Sequence, residues 1–396
     1  MNSGGDTAFI LICAMVVLLM TPAVALLYAG LAERKFQNTM LMQVLITIPL
    51  ISVLWALVGF SLAFGGNALG GLIGNFDYLL LRDVFIEENP LAPGLPFVLF
   101  FVLQATVAII TPALICGALV KRLRFLPYLI FIVLWSLLVY CPVVHWVWGN
   151  GFLSQWGYID FAGGVPVHMI AGFSALGVVL VLGNAKEEHR GTSSTMTVVV
   201  AMAILWAGWF CFNSGSALAA NGLAAMAVAN TLLASGASTL IWLLLSYRQN
   251  QRQITVMDII FGALAGLVVS SPLGGYVSPW AALVAGALAG AVCYGAMKFR
   301  LRRNYDDTLD VWAFHGVGGL LGALLVGFFA NPLLSPGTGL LYGGGSQLLT
   351  QVIGVLIAGV YCFIVTIILV KIINAVVPFR IENEVPQFFG KDEDEV

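Results

Sequence analysis

Apolar residues fall in long runs separated by charged or turn-rich segments, at about 8–31, 40–64, 96–120, 127–148, 160–182, 196–215, 223–246, 256–270, 279–298, 308–329 and 347–377. A helix needs about 20 apolar residues to cross the hydrocarbon core of a bilayer. The pattern therefore predicts eleven transmembrane helices and an all-α integral membrane fold. An odd number of spans places the two ends of the chain on opposite sides.

The Lys and Arg positions select which side is which. With the N-terminus outside, the inner segments hold Arg34, Lys35, Lys121, Arg122, Arg124, Lys186, Arg190, Arg248, Arg252, Lys298, Arg300, Arg302, Arg303, Arg380 and Lys391. The outer segments hold Arg82 alone, and Lys371 lies near the inner end of the last span. This bias predicts an N-out/C-in topology. Residues 1–378 read as one membrane domain, and 379–396, ending in KDEDEV, as a cytoplasmic tail.

Composition then excludes several classes. The chain of 396 residues is 60% hydrophobic and 9% charged, against roughly 25% charged in a soluble domain, so a soluble fold is ruled out. A net charge of −2 leaves no polybasic surface for nucleic acid. The six cysteines stand in apolar runs without a CxxC pair, and they read as small buried hydrophobes. No nucleophile, metal cluster or cofactor motif is visible, so neither an enzyme nor a cofactor is expected. The 44 glycines suit helices packed backbone to backbone.

Two spans share a pattern. Asp160-Phe-Ala-Gly-Gly-Val-Pro-Val-His168 opens the fifth, and Asp310-Val-Trp-Ala-Phe-His315 opens the tenth. Each is the fifth span of a five-span half, so the halves insert in opposite senses. The expected architecture is a five-plus-five inverted repeat with one extra helix, its two histidine helices meeting near the midplane.

Titratable groups inside a span point to function. A carboxylate in a first turn caps free N–H groups, which is the structural reading of Asp160 and Asp310. Asp160 can also shape the electrostatic field at its mouth. Two neutral imidazoles at His168 and His315 can share one N–H···N bond and turn their outer nitrogens to a lumen. A metal there lacks a third ligand at suitable spacing. Span four ends His145-Trp146-Val-Trp148 and span six Trp209-Phe210-Cys211-Phe212-Asn213-Ser214-Gly215-Ser216. Such rings either form an interfacial belt or hold a small cation over an indole face.

These residues resemble the ammonium transporter (Amt/Mep/Rh) family over about residues 8–385. The matching stretches are Tyr28-Ala-Gly-Leu, Thr111-Pro-Ala-Leu-Ile, His145-Trp-Val-Trp-Gly149, Asp160-Phe-Ala-Gly-Gly with His168, Trp209-Phe-x-Phe-Asn-x-Gly-Ser216-Ala-Leu-Ala-Ala-Asn, and Asp310-x-Trp-Ala-x-His315-Gly. The resemblance implies a homotrimer in the bacterial or archaeal inner membrane, with one pore per subunit and ammonium or ammonia as ligand. It assigns Trp148 and Ser216 to ammonium recruitment with Asp160 in support, Phe212 to a gate, and His168 and His315 to the pore. Ammonium would lose its proton at the outer site and cross as NH₃.

Two positions depart from the family. Gln104-Ala-Thr-Val107 carries valine where the second gate phenylalanine is expected. The tail keeps Arg380-Ile-Glu-Asn-Glu384 but not the Gly-Leu-Asp segment that couples subunits and docks PII-type regulators. Both departures keep an alternative open: an ammonium sensor on the same scaffold, with little transport and a regulator or fused signalling module on its cytoplasmic side.

Overall fold

Eleven helices are long and apolar enough to span a membrane: α1 (Gly4–Leu31), α2 (Arg34–Phe64), α3 (Phe97–Ala118), α4 (Phe125–Gln155), α5 (Gly164–Leu182), α6 (Thr195–Gly215), α7 (Gly222–Gln249), α8 (Val256–Tyr276), α9 (Pro279–Arg303), α10 (Trp312–Phe329) and α11 (Gly345–Val376). The computed structural model describes residues 3–119, 124–184, 194–249 and 251–379. The basic residues Lys121, Arg122, Lys186, Arg190, Arg380 and Lys391 lie outside that set, as does the tail from 380 onward. Phe379, at the boundary expected for the tail, packs on Phe131 with its backbone carbonyl accepting the Arg124 N–H.

Helices satisfy every backbone group internally, which is why the apolar runs adopt them. The runs differ in what surrounds them. About three quarters of α3, α5 and α8 is buried within the protein, against about a third of α2, α7 and α11. The central helices therefore line the interior, while the peripheral ones carry exposed Val53, Leu57, Leu240, Leu349 and Val360 on the outside of the bundle, as suits a lipid-facing surface. Helix α1 packs along α6, α7 between α8 and α9, and α11 across α5 and α10. Between α2 and α3 a short hairpin, β1 (Asn67–Ala68) with β2 (Ile73–Gly74), caps one end of the bundle.

Helices α5 and α10 meet at the centre, and each begins with a wide π turn, Gly164–Met169 and Trp312–Val317. Such turns are rare and concentrate at functional sites. Each π turn contains the histidine of its span. The crossing is reciprocal. A Cβ on Gly172, four residues after His168, would collide with the backbone of Gly316. A Cβ on Gly319, four residues after His315, would meet the Gly164 carbonyl and the Met169 N–H. Only glycine at these two positions allows the backbones to approach so closely, and the exchange of equivalent contacts is the signature of the inverted repeat.

The expected pairing of Asp160 with Asp310 needs correction. Asp160 does cap its helix, its carboxylate accepting N–H groups from Gly163, Gly164 and Val165 at 2.8, 2.9 and 2.7 Å. In the second half that role belongs to Asp307, which accepts the Trp312 N–H at 2.7 Å. Asp160 and Asp307 each accept from the residue five positions on, and each stands eight before its histidine. Asp310 has φ +56 and turns its carboxylate to Arg300, at 2.7 Å to Nε and 2.9 Å to the Nη2 nitrogen. The ion pair on α9 competes for Asp310, so the cap moves to the acid one turn earlier.

Candidate functional site

Two cavities lie end to end, and both touch Phe212. The wider, about 170 Å³, is bordered by Trp148, Asp160, Ser216, Val107, Gln104 and Tyr276. The narrower, about 30 Å³, holds His168 and His315 among Leu31, Ile110, Leu114 and Leu205. A water molecule needs roughly 10–15 Å³ by this measure, so the narrow cavity, at about 30 Å³, takes at most two or three water-sized molecules and no hydrated ion.

Local folding sets the wide cavity. Gly163, at φ +99, turns the chain from Asp160 into α5, and a Cβ there would strike Val167 and press on the edge of the Trp148 ring. The Trp148 indole N–H donates to the Asp160 carbonyl at 2.9 Å, which fixes the ring against this turn. Ser216 donates its hydroxyl to the Phe212 carbonyl at 3.0 Å, and the oxygen's lone pairs are left to accept. The Asp160 carboxylate is committed to three backbone donors. Its influence on a cation is that of a charge behind the wall, not of a ligand. Burial pushes its carboxyl up from the usual range, to about 6, against the pull of those donors.

Val107 is buried and lines the wide cavity beside Phe212. Aromatic rings absent from the sequence-based site surround it: Phe64, Phe100, Phe161 and Tyr276 also border this cavity. They come from α2, α3, the turn before α5 and α8, so no local motif announces them.

In the narrow cavity the Nδ1 atoms of His168 and His315 lie 3.2 Å apart. Two residues missed at the sequence level complete the arrangement. The Trp209 ring stacks on His168 at 5.4 Å and 19°, and its N–H donates at 3.0 Å to the hydroxyl of Ser271. That same hydroxyl lies 3.2 Å from His168 Nε2. Trp209 stands in a quoted motif and could have been singled out. Ser271, 103 residues from His168, carried no signal.

The partners restrict the tautomers. With one lone pair of Ser271 taken by the indole, its O–H can donate to His168 Nε2. His168 Nδ1–H then donates to His315 Nδ1, and His315 Nε2–H is left to donate into the narrow cavity. In the reverse order Ser271 turns to the Leu267 carbonyl at 3.4 Å and accepts from His168 Nε2–H. His315 Nδ1–H then donates to His168, and His315 Nε2 becomes an acceptor. Both orders keep two neutral rings, and they differ by proton positions along one chain.

Fold and site together define a multi-pass membrane protein of the cell membrane, with a narrow cavity at the crossing of two inverted half-repeats. The model of the Ammonium Transporter Family matches residues 8–395, and the chain belongs to that family, a family of membrane transporters and not of enzymes. An ammonium transporter of Bacillus subtilis is 38% identical over 96% of this chain and 94% of its own length. Ammonium transporter Amt1 of Archaeoglobus fulgidus is 37% identical over 98% and 97%. Among solved structures, Mep2 of Saccharomyces cerevisiae superposes with a TM-score of 0.91 at 31% identity, covering 98% of this chain and 90% of that one. A structure described as a sensor Amt protein gives 0.87 at 26%, covering 95% of each.

Proposed function

We propose that the chain transports ammonium, recruiting NH₄⁺ at Trp148 and Ser216 and passing NH₃ beside His168 and His315. The observation that carries this reading is the narrow cavity: about 30 Å³, lined by aliphatic side chains and the rings of Phe212, Phe261 and Phe314, with the two imidazoles among its few polar groups. Moving a bare ion into such a medium costs tens of kcal/mol by Born estimates. Neutral NH₃ avoids that cost and can donate or accept at either ring. Potassium has no proton to lose and is rejected.

The Trp148 mouth is the outer one, a reading supported by charge. Among the described residues, the helix ends and connections on the opposite side hold Arg34, Lys35, Arg124, Arg248, Arg252 and the α9 end from Lys298 to Arg303, while the Trp148 side holds Arg82 alone. A homotrimer of the prokaryotic inner membrane belongs to the same proposal, on the family resemblance. Ammonium flux into proteoliposomes, paired with ammonium binding in detergent, tests the function. Flux that is absent from the parent chain despite binding would replace transport by sensing.

Sensing is kept as the second reading because of Val107. An aliphatic side chain at the expected gate position offers a cation no ring face, and the likeness to a sensor Amt protein is compatible with it.

A further inference from the structure

Between the end of α4 at Gln155 and the start of α5 at Gly164 the chain runs without helix, yet Tyr158 and Asp160 to Gly163 are buried. Buried backbone that makes no helix must find its hydrogen bonds elsewhere. On one side it finds them at the Trp148 mouth. The Asp160 carbonyl accepts the Trp148 indole N–H, and the Phe161 and Ala162 N–H groups donate to the carbonyls of Pro272 and Ser271. On the other side two glutamines of α11, one turn apart, take the place of a partner strand. Gln351, completely buried, accepts the Ile159 N–H at 3.1 Å and donates to the Ile159 carbonyl at 2.9 Å. Gln347 donates to the Gly157 carbonyl at 3.0 Å. On the same helix a Cβ at Gly354 would collide with the Tyr158 ring, so glycine there lets the segment lie against α11.

Gln351 has no freedom to turn. Its second N–H donates to the Ala323 carbonyl on α10 at 2.9 Å, and its oxygen also accepts from the Gln347 amide at 3.1 Å. Both donors and both lone pairs are used, and a reversed amide would set oxygen against two carbonyls and NH₂ against two donors. We propose that Gln351 is a positioning residue for ammonium recruitment: it fixes the peptide groups on both sides of Ile159, and so holds the Asp160 carbonyl where it orients the Trp148 ring. The proposal rests on the reading of Trp148 and Ser216 as the recruitment site. It gives the eleventh helix, which stands outside the inverted repeat, a part in that site although no residue of α11 borders the wide cavity.

The second half of the repeat is held differently. There Arg300 of α9 grips the segment before α10, donating to the Asp310 carboxylate and, at 3.4 Å, to the Tyr305 carbonyl. In the first half the Asp160 carboxylate is spent on the cap of α5. A carboxamide can both donate to and accept from the backbone of one residue without carrying charge. Holding the mouth with Gln351 therefore adds no positive charge behind the place where a cation is recruited, whereas a guanidinium there would repel NH₄⁺.

Gln351→Met keeps the length of the side chain and makes none of these bonds. Calorimetry in detergent should show ammonium affinity about tenfold weaker, the scale of one buried hydrogen bond lost from the bound state. Thr366→Val is the control: Thr366, buried about four turns further along the same helix, donates to the Ser174 hydroxyl at 2.9 Å. That variant should unfold at lower temperature and bind ammonium as the parent does. By linkage, saturating ammonium should slow amide exchange across residues 157–163 of the unaltered chain, a measurement that needs no variant to fold. Parental affinity in folded Gln351→Met, or no added protection of residues 157–163, would overturn the proposal. Trp148→Leu distinguishes the two readings. If it too binds as the parent does, the recruitment site lies elsewhere and the proposal falls with it; weak binding by Trp148→Leu beside parental binding by Gln351→Met strikes Gln351 alone.

Discussion

Replacing Ser271 by alanine separates the orientation of the histidine pair from the rest of the pore. The hydroxyl is completely buried, receives the Trp209 N–H and faces His168 Nε2. Its removal leaves two buried polar groups without a partner in an apolar cavity too small to hydrate them well. Each such group costs about 1–3 kcal/mol, so the variant should be about 2–6 kcal/mol less stable. The backbone of residues 271–272 holds the turn before α5 by accepting the Ala162 and Phe161 N–H groups at 3.0 and 3.1 Å, and alanine keeps those bonds. Ammonium binding at Trp148 should therefore persist, while conduction falls because nothing orders the proton chain through His168 and His315. Ser235→Ala is the control. That buried hydroxyl donates only within its own helix, to the Leu232 carbonyl at 3.0 Å, and its loss should cost about 0.5–1.5 kcal/mol. Unfolding in detergent, proteoliposome flux and calorimetric binding read the three quantities. If Ser271→Ala unfolds like the control and conducts like the parent, Ser271 does not set the histidine tautomers.

Trp148→Leu should weaken ammonium binding by up to about thirtyfold, since a cation over an indole gains about 0.5–2 kcal/mol; calorimetry with unchanged affinity would return the ring to the interfacial belt. Val107→Phe fills part of the wide cavity beside Phe212, and a comparison of flux before and after separates the readings: a parent that conducts supports transport, whereas binding without flux in both supports sensing. For Asp160 the folded carboxyl titrates near 6 against about 3.9 when unfolded. The folded state binds the extra proton, so this group's contribution to stability declines as pH rises from about 4 to 6 and is level above. Asp160→Asn should remove that slope, and parallel stability profiles for the two proteins would contradict it. A single cysteine replacing Asp77 should be labelled from outside and one replacing Arg252 from the cytoplasm; the opposite result would invert the topology.

The sequence by itself determined the eleven helices, because a run of about 20 apolar residues has no other way to satisfy its backbone in hydrocarbon. It also singled out His168 and His315, since titratable groups inside such runs are few. What it misassigned or missed depends on distances along the chain that no local pattern encodes. Asp310 resembles Asp160 by its place before a histidine, yet Arg300 on α9 takes its carboxylate, and the eight-residue spacing that marks Asp307 becomes meaningful only once both caps are seen. Ser271 orients a ring 103 residues away. Phe64, Phe100 and Tyr276 reach one cavity from three helices. The tertiary structure decided these because membrane helices pack through shape and a few hydrogen bonds, not through an apolar face that sequence could reveal. His145 shows the same division within one residue: the sequence places it beside Trp148, and only the packing of α2 and the hairpin around its ring gives both nitrogens a hydrogen-bond partner.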